Sequence, residues 1–457
     1  MCGILAAFWK HGYRKDFIAT AVEQISHRGI RTTKKVFPQG FICHSRLPIV
    51  GVGEENDQPI EVGPETIAFV GEILNFKDID PSAECDLKVV ANAWEKGLEE
   101  FRKFDGFWHV LGYNPSNGKL RVLVDYLAQK PVYVLQTNNF LAVSSELDSL
   151  SALSGGWLSF DEVYLSSVIK WGYCPEPWRT PYREVRHMLP GELMEADTKN
   201  LSCPATYTVV DRLVGKKITD SQLKTEIVQA TIRRVLSSDV PVACLVSGGL
   251  DSSIVYEIAK QYGNIKAYHV ENREIEEALL VAPEAIVLGL EDISMAKGLD
   301  YMQEPIDLGS LLPQTALSDA VGASGAERVC LTGDGADELF GGYGRALRYD
   351  SQASDVWQEL VAWHLPRLDR VMMRNLVEVR SPFLARKVVE AALGLPWGCR
   401  RNKNILRNIF RSDLPFRIVD RLKRPLRTKM VERGREENSR KLVNLFIKER
   451  DRHAENT

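Results

Sequence analysis

A glycine-rich turn between an apolar strand and an amphipathic helix restricts the fold of this chain more than any other feature. The apolar run Val240–Val246 leads into Leu245-Val-Ser-Gly-Gly-Leu-Asp-Ser-Ser253, and an amphipathic segment follows. Two adjacent glycines let backbone N–H groups approach an anion, and serine hydroxyls and the positive end of the helix add donors. The pattern predicts an α/β domain whose turn binds a pyrophosphate group.

The acidic residue in this turn indicates which phosphate chemistry to expect. Asp251 would repel a phosphate unless a divalent cation lay between them, so the turn implies Mg²⁺. The final Gly-Lys-Ser/Thr of the Walker sequence does not follow. This difference argues against γ-phosphate hydrolysis and for attack at the α-phosphate of ATP, with release of AMP and pyrophosphate. An N-capped glycine turn with no ligand is the alternative.

A second block of glycines and carboxylates follows the short apolar run Arg328–Leu331. It reads Leu331-Thr-Gly-Asp-Gly-Ala-Asp-Glu-Leu-Phe-Gly-Gly-Tyr343. Open α/β sheets bind ligands at the carboxyl ends of their strands. We therefore expect Asp337 to share the metal with Asp251, while Asp334 or Glu338 transfers protons. A plain acidic turn is the alternative here.

The two halves of the chain have different patterns. Up to about residue 195, short β-like runs alternate with turn residues, and segments 16–25 and 86–104 show helical spacing. From about residue 220, strands alternate with helices, which is typical of a parallel sheet. We predict a first domain at residues 1–200, a linker at 201–217, a second domain at 218–435 and a basic tail at 436–457.

Charge and cysteine usage exclude several classes of protein. The net charge of −3 argues against a nucleic-acid partner, although residues 400–457 hold 18 Lys and Arg against 8 Asp and Glu. These cations suit either a solvated helical face or contacts with phosphate. The 8 cysteines include no Cys-x-x-Cys pair, so we expect no structural zinc site. Without a basic leader or an apolar run of about 18 residues, we expect a cytoplasmic protein that does not enter a membrane.

The two glycine-rich blocks resemble those of the asparagine synthetase family of N-type ATP pyrophosphatases, and the resemblance covers about residues 2–428. Further family-like pieces of the first half are Met1-Cys2-Gly3-Ile4, His27-Arg28-Gly29, His44-x-Arg46-Leu47, Gln58-Pro59, Gly71-Glu72-Ile73 and Pro131-Val132-Tyr133. Those of the second half are Ser238-Asp239-Val240-Pro241, Glu304-Pro305-x-Asp307, Asp369-Arg370, Val377-Glu378-Val379-Arg380-Ser381-Pro382, Asn402-Lys403-x-x-Leu406-Arg407 and Arg421-x-Lys423.

For the first half, the resemblance implies a class II glutamine amidotransferase domain with the N-terminal nucleophile fold, an α+β arrangement in αββα layers. Removal of Met1 would make Cys2 the first residue, with its thiol as nucleophile and its α-amino group as base. A thiolate is a good nucleophile, and an amine with a pKa near about 8 is a suitable proton acceptor. Arg46 would bind the glutamine carboxylate, and Gly71, Glu72 and Glu84 would hold the amino end of glutamine.

For the second half, the resemblance implies an adenine nucleotide α-hydrolase-like α/β domain with a parallel sheet, in which Asp334 and Lys423 are catalytic. Lys423 would stabilise charge on the α-phosphate and pyrophosphate, and Lys403 and Arg407 would lie nearby. The residues expected to bind ATP are Leu245, Ser247, Gly248, Gly249, Asp251, Ser252, Ser253, Val270, Thr332, Gly333 and Lys403.

Several positions depart from the family pattern. Val70 stands where the family has an Asn that donates to the oxyanion, and loss of one such donor lowers a rate by about 10² to 10³. Glu84 replaces an Asp, Val124-Asp125 replaces Arg-Asp, and Asp334 replaces a Glu. Whether glutamine hydrolysis survives these changes stays open.

The main hypothesis is a ligase that transfers ammonia from glutamine to an acyl-adenylate, with ATP and Mg²⁺ required and aspartate as the acceptor by resemblance. A second hypothesis keeps adenylation but changes the acceptor, as in the β-lactam synthetase and lasso-peptide cyclase relatives. A third is a nucleotide-binding regulatory protein, or an amidase that modifies nucleic acid. The oligomeric state stays open, with a homodimer as the assembly considered.

Overall fold

The computed structural model describes residues 2–11, 15–201, 205–210, 213–290, 293–343, 358–421 and 435–455. Among the predicted site residues, Lys423 lies outside these ranges. No helix in the described ranges combines the length and the apolar character that a membrane span needs.

The first half folds into two antiparallel sheets. Their strands are β1 (Gly3–Trp9), β2 (Arg31–Phe37), β3 (Gly40–Arg46), β4 (Ile60–Val62), β5 (Glu65–Ile73), β6 (Gly106–Asn114), β7 (Lys119–Val124), β8 (Tyr133–Gln136), β9 (Phe140–Ser144), β10 (Val185–His187), β11 (Glu192–Asp197) and β12 (Ala205–Thr208). The strand orders are β10-β8-β9-β1-β3-β2 and β12-β11-β7-β6-β5-β4. Strand β1 is therefore internal, paired with β3 and β9, and Cys2 directly precedes it.

Side-chain alternation along β1 explains the layering of this half. Ile4, Ala6 and Phe8 point into the core between the two sheets, whereas Leu5 and Ala7 join the core beneath the helices. The helices of this half are α1 (Ile18–Ser26), α2 (Phe76–Ile79), α3 (Asp86–Lys96), α4 (Leu147–Leu153) and α5 (Glu162–Trp171). The expected αββα arrangement is confirmed.

The predicted helix over residues 86–104 is divided. Helix α3 ends at Lys96 because Gly97 has φ 143°, and a 3-10 helix (Leu98–Lys103) follows. The other short helices of this kind are Glu54–Asn56, Pro382–Leu384 and Arg401–Lys403, and a π-helical turn spans Leu360–His364.

The second half is built on a parallel sheet, as predicted. Its strands are β13 (Val242–Leu245), β14 (Lys266–Val270), β15 (Ile286–Leu288), β16 (Val329–Leu331) and β17 (Glu378–Arg380). Their order is β15-β14-β13-β16-β17, with every pairing parallel. The chain moves outward from β13 to β15 and then returns to the other side of β13. The boundary between β13 and β16 is thus the topological switch point, where such sheets bind ligands.

The helices of the second half lie around this sheet. They are α6 (Asp220–Leu236), α7 (Leu250–Ala259), α8 (Ile275–Val281), α9 (Met295–Met302), α10 (Leu308–Ser324), α11 (Ala336–Leu339), α12 (Leu365–Met373), α13 (Arg386–Gly394), α14 (Trp397–Arg400), α15 (Asn404–Ile409), α16 (Phe416–Val419) and α17 (Arg435–Glu455). Thr219 caps α6 with a capping box, which explains the sharp start of the α/β pattern.

Two segments differ from the predicted domain organisation. Part of the expected linker 201–217 is strand β12, which pairs with β11 and so extends the second sheet of the first half. The expected basic tail belongs to helix α17, whose Leu442, Val443 and Phe446 are buried in the core that includes α5. Arg450 makes an ion pair of 2.7 Å with Asp148 of the first half. Apolar residues interleaved with the cations let this segment pack as an amphipathic helix.

Candidate active sites

A pocket that is partly open to solvent lies beside Cys2, at the start of the internal strand β1. Its lining residues are Cys2, Arg46, Leu47, Ile49, Val50, Asn56, Gln58, Phe69, Gly71, Glu72, Cys85, Asp86 and Leu87. The fold thus brings together the predicted residues Cys2, Arg46, Gly71 and Glu72, which come from β1, β3 and β5.

The Cys2 thiol is not activated by its surroundings. Burial raises its pKa to about 11. Because the thiolate is the reactive form, such a thiol needs a base. Where Met1 precedes Cys2, the α-nitrogen of Cys2 is an amide and cannot accept a proton. The carbonyl oxygen of Cys2 accepts a hydrogen bond of 3.0 Å from Arg28 Nε.

Arg46 holds a fixed position at the pocket wall. Its guanidinium makes an ion pair of 3.0 Å with Asp57 and donates to the Gly53 carbonyl at 2.6 Å and to the Gly51 carbonyl. The side chain is almost completely buried. A guanidinium held by three acceptors is preorganised to bind an incoming carboxylate.

Gly71 and two buried carboxyls form another part of the wall. Gly71 has φ 116°, and a Cβ there would lie 1.9 Å from the Phe107 carbonyl oxygen, so only glycine fits. Burial and the nearby Asp86 raise the pKa of Glu72, and burial raises the pKa of Asp86 to about 6. The charge on Asp86 thus bears directly on the protonation of Glu72.

Glu84, predicted to hold the amino end of glutamine, does not reach the pocket. Its side chain is 84% exposed and pairs with Lys88 at 2.7 Å, one helical turn along α3. Asp86 faces the pocket instead, where it accepts a hydrogen bond of 2.9 Å from the Ile73 N–H. Glu84 points outward because it precedes the helix, whereas Asp86 is the first helical residue on the inner face. Acidic residues stand on both sides of Cys85 in the sequence, so the sequence pattern alone offers both Glu84 and Asp86 as candidates for the pocket.

The departures at Val70 and Asp125 have different consequences. Val70 is fully buried in the apolar core, so no side-chain amide is available at this position. The amides that line the pocket belong to Asn56 and Gln58, and Gln58 Oε1 accepts a hydrogen bond of 2.6 Å from Phe69 N–H. Asp125 is structural, because it accepts backbone N–H bonds from Trp108, Leu127 and Gln129.

The glycine-rich turn of the second half lies at the topological switch point of the parallel sheet. Helix α7 begins after Gly249, and the Ser252 hydroxyl accepts a hydrogen bond of 3.0 Å from the Ser247 N–H. The Ser253 hydroxyl donates to the Gly249 carbonyl at 2.7 Å. Gly248 has φ 77°, in the left-handed region that favours glycine. These contacts fix the turn at the N-terminal end of α7, where the positive end of the helix dipole favours an anion.

The residues predicted to bind the nucleotide lie where neighbouring strands end, at the same edge of the sheet. Leu245 and Val270 are the last residues of β13 and β14, and Thr332 follows β16. The Thr332 hydroxyl is buried and has no hydrogen-bond partner within the described part of the chain. Gly333 presses against the turn, since a Cβ there would lie 2.8 Å from Asp251 Cβ. The two glycine-rich blocks therefore form one surface.

A lysine lies between the two predicted metal ligands. The buried Lys403 ammonium contacts Asp251 Oδ2 and makes an ion pair of 2.5 Å with Asp337 Oδ1. The fold therefore brings Asp251 and Asp337 together on either side of Lys403. Asp251 Oδ1 is buried with no hydrogen-bond partner among the described residues.

This donor set fits Mg²⁺. Carboxylate oxygens are the protein ligands that Mg²⁺ prefers, and it usually takes its other ligands from substrate phosphates and water. The described ranges contain no group of three or more His, Cys, Asp or Glu side chains that could hold a metal ion. Asp251 and Asp337 would therefore hold the ion together with a bound nucleotide.

The two candidate proton-transfer residues differ in environment. Asp334 is partly exposed, and its carbonyl accepts a hydrogen bond from the Ser381 hydroxyl. Burial raises the pKa of Glu338 to about 7, although Tyr343 OH donates to this carboxyl at 2.6 Å. The His364 ring nitrogen lies 3.7 Å from the Glu338 carboxyl. A carboxyl with a pKa near neutrality is suited to general base catalysis.

Two cations of the second half have positions that bear on the nucleotide site. Arg407 Nε donates to the Asn402 carbonyl at 3.0 Å, so it supports the turn that carries Lys403. Arg421 donates to the Gly248 carbonyl at 2.9 Å and pairs with Glu274. Arg421 directly precedes the segment that contains Lys423, which lies outside the described residues.

The two sites are joined by a polar interface. Asp239, just before β13, makes two hydrogen bonds to the loop of the first pocket. Its N–H donates to the Ile49 carbonyl at 3.0 Å, and its carboxylate accepts from the Gly51 N–H at 3.0 Å. Tyr126 OH donates to the Leu384 carbonyl at 2.9 Å. The electrostatic influence of Glu378 and Arg380 reaches Glu72 at the wall of the first pocket.

Comparisons with known proteins agree with this two-site arrangement. A family model described as a glutamine amidotransferase domain matches residues 1–208, and one described as asparagine synthase matches residues 223–367 and 356–456. Asparagine synthetase [glutamine-hydrolyzing] 1 of Bacillus subtilis is 28% identical over 75% of this chain, which spans 59% of that protein. Asparagine synthetase B [glutamine-hydrolyzing] of Escherichia coli is 25% identical over 84% of this chain and 73% of its own length.

Similarity to solved structures is remote. Glutamine phosphoribosylpyrophosphate amidotransferase from B. subtilis is 13% identical, with a TM-score of 0.35, over 60% of this chain and 67% of that one. The family matches together span nearly the whole chain. The chain therefore belongs to the family of glutamine-hydrolysing asparagine synthetases, which are ligases, with a glutamine amidotransferase domain followed by an asparagine synthase domain.

Proposed function

We propose that this protein makes an amide by passing ammonia from glutamine to a carboxylate that ATP has activated, with aspartate as the acceptor and asparagine, AMP and pyrophosphate as products. The observation that carries this proposal is the convergence of Asp251, Asp337 and Lys403 at the switch point beside a turn shaped for phosphate. Together with the Cys2 pocket, it provides for both half-reactions.

In the first half-reaction, Cys2 acts after Met1 has been removed. Its free α-amino group takes the thiol proton, and the thiolate attacks the side-chain carbonyl of glutamine. Ammonia leaves with a proton returned by the amine, and water then hydrolyses the thioester to glutamate. Arg46 binds the glutamine carboxylate. Asp86 and Glu72, rather than Glu84, face the amino group.

In the second half-reaction, an acceptor carboxylate oxygen attacks the α-phosphorus of ATP and displaces pyrophosphate. Mg²⁺ held by Asp251 and Asp337 would neutralise charge on the leaving pyrophosphate. Lys403 lies where it can shift from the two carboxylates to the phosphates, and Lys423 stays a predicted contributor. Ammonia then attacks the acyl carbon and AMP leaves, while Asp334 or Glu338 takes a proton.

The test uses untagged protein with a free Cys2, incubated with ATP, Mg²⁺, aspartate and glutamine labelled with ¹⁵N in its amide. Mass spectrometry should detect labelled asparagine and AMP in equal amounts. AMP without labelled asparagine would contradict aspartate as the acceptor, and a screen of other carboxylates would follow. Release of ADP in place of AMP would contradict adenylation itself.

A further inference from the structure

The carbonyl oxygen of Cys2 is held by a buried arginine. Arg28 Nε donates to it at 3.0 Å, and Arg28 is completely buried. The Arg28 side chain also packs on the next residue, since a Cβ on Gly3 would lie 2.7 Å from Arg28 Cδ. The Ile4 N–H donates to the Ser145 hydroxyl at 3.1 Å. The orientation of the nucleophile therefore depends on where Arg28 is held.

Arg28 is held by one carboxylate from each half of the molecule. Its Nη1 donates to Glu146 at 2.5 Å and its Nη2 to Asp369, in α12 of the second half, at 2.6 Å. The other Asp369 oxygen accepts from Lys130 Nζ at 3.2 Å. These side chains are at most 3% exposed, and the two cations and two anions balance. The pairs are thus shielded from water and strongly coupled.

We propose that Asp369, although it belongs to the synthetase half, is a positioning residue for Cys2 of the glutaminase half and acts through Arg28. Removing the Asp369 charge releases the Arg28 guanidinium from one of its two anchors, and the Cys2 carbonyl loses its fixed donor. The chemical step at Cys2 should slow, because a small misplacement of a nucleophile has a large effect on rate. Glutamine binding should be little affected, because Arg46 and Asp86 do not contact this network.

The inference rests on the proposed glutaminase function. It is tested with protein lacking Met1 and a diazoketone analogue of glutamine, which forms a thioether with the nucleophile and releases N₂. Mass spectrometry follows modification of Cys2 against analogue concentration. In Asp369→Asn we expect the maximal rate of modification to fall about tenfold or more, with the half-saturating concentration changed less than about twofold.

Glu304→Gln is the matched control. Glu304 is also buried between the halves, where it pairs with Arg370 and accepts hydrogen bonds from Tyr133 and Tyr164, but it does not contact Arg28. Modification of Cys2 in this variant should stay within about twofold of the wild-type rate. Equal slowing in both variants, or a wild-type rate in Asp369→Asn, would overturn the inference.

Two further measurements separate the possible failures. Ammonium-supported AMP release should be retained in Asp369→Asn, and its loss would make Asp369 an ordinary structural residue of the synthetase half. If Asp369→Asn does not fold, Asp369→Asn with Lys130→Met keeps the charge balanced and leaves the Arg28–Glu146 pair intact. The same slowing is expected there. A wild-type Cys2 that never reacts would contradict the proposed glutaminase, and the inference with it.

Discussion

The Cys2 pocket and the nucleotide site differ in how far their reactive groups are already arranged for catalysis. In the first, burial raises the pKa of the thiol to about 11, and no amide side chain is present at Val70. In the second, two carboxylates and a lysine already converge beside the turn that leads into α7. Under the proposed mechanism, the glutaminase site therefore depends on a covalent event, the removal of Met1, whereas the synthetase site depends on its ligands.

This difference implies a hierarchy between the two activities. Ammonium added directly should bypass every defect of the first site, because the second site receives ammonia from either source. Damage to the second site should abolish amide synthesis with both nitrogen donors. The following variants test that asymmetry.

The largest effect is expected at Asp251. Asp251→Ala removes a carboxylate that contacts Lys403 and is expected to hold Mg²⁺, so AMP formation should fall by about 10³-fold or more with either glutamine or ammonium. AMP release measured by chromatography checks this. The control is Asp413→Asn, which removes an exposed carboxylate paired with Lys224 at 2.6 Å. If Asp251→Ala still formed AMP at the wild-type rate, the assignment of Asp251 to the nucleotide site would be wrong.

The next effect should be confined to one nitrogen source. Cys2→Ala should abolish glutamine-supported amide synthesis and leave the ammonium-supported reaction within about twofold, because only the nucleophile is lost. Cys85→Ala is the matched control, since Cys85 lines the same pocket. The ratio of the two activities is the readout. Unchanged glutamine use in Cys2→Ala would make the assigned nucleophile wrong.

A smaller effect distinguishes two neighbouring carboxylates. Asp86→Asn should raise the KM for glutamine about tenfold or more, because a buried carboxylate that faces the substrate amine is lost. Glu84→Gln, which changes an exposed group, should leave KM within about twofold. Steady-state glutaminase assays compare the two variants. A larger rise in KM for Glu84→Gln than for Asp86→Asn would contradict this assignment and indicate that Glu84 contacts glutamine.

The last expected effect is on stability rather than on catalysis. Burial raises the pKa of Glu338 from its ordinary 4.5 to about 7, so the folded state holds this proton more tightly than the unfolded state. The associated stabilisation is present below pH 4.5 and is lost as pH rises through about 7. Relative to Glu338→Gln, the wild type should therefore lose at most about 3 kcal/mol over this range. Urea unfolding at pH 5 and pH 8 measures the change, and a difference independent of pH would contradict it.

Several features were predictable from sequence because they depend on neighbours along the chain. The turn from Ser247 to Ser253 was recognisable between a strand and a helix, and the carboxyl ends of parallel strands meet at one edge by geometry alone. Asp251 and Asp337 were therefore expected together before any coordinates. The αββα layering came from resemblance, because short alternating strands do not reveal which sheet each joins.

Other features required the folded molecule. Glu84 and Asp86 are two residues apart, and only the direction in which α3 begins decides which of them enters the pocket. The contact between Arg28 and Asp369 leaves no local signal in the sequence, since 341 positions separate the two residues in the chain.

The sequence by itself indicated a phosphate-binding turn between a strand and a helix, because local patterns specify strands, turns and helix ends. The resemblance to a known family added the expected nucleophile Cys2. Only the tertiary structure decided how charges are paired. Lys403 between two carboxylates and Arg28 between Glu146 and Asp369 depend on long-range packing, where burial makes each partner obligatory.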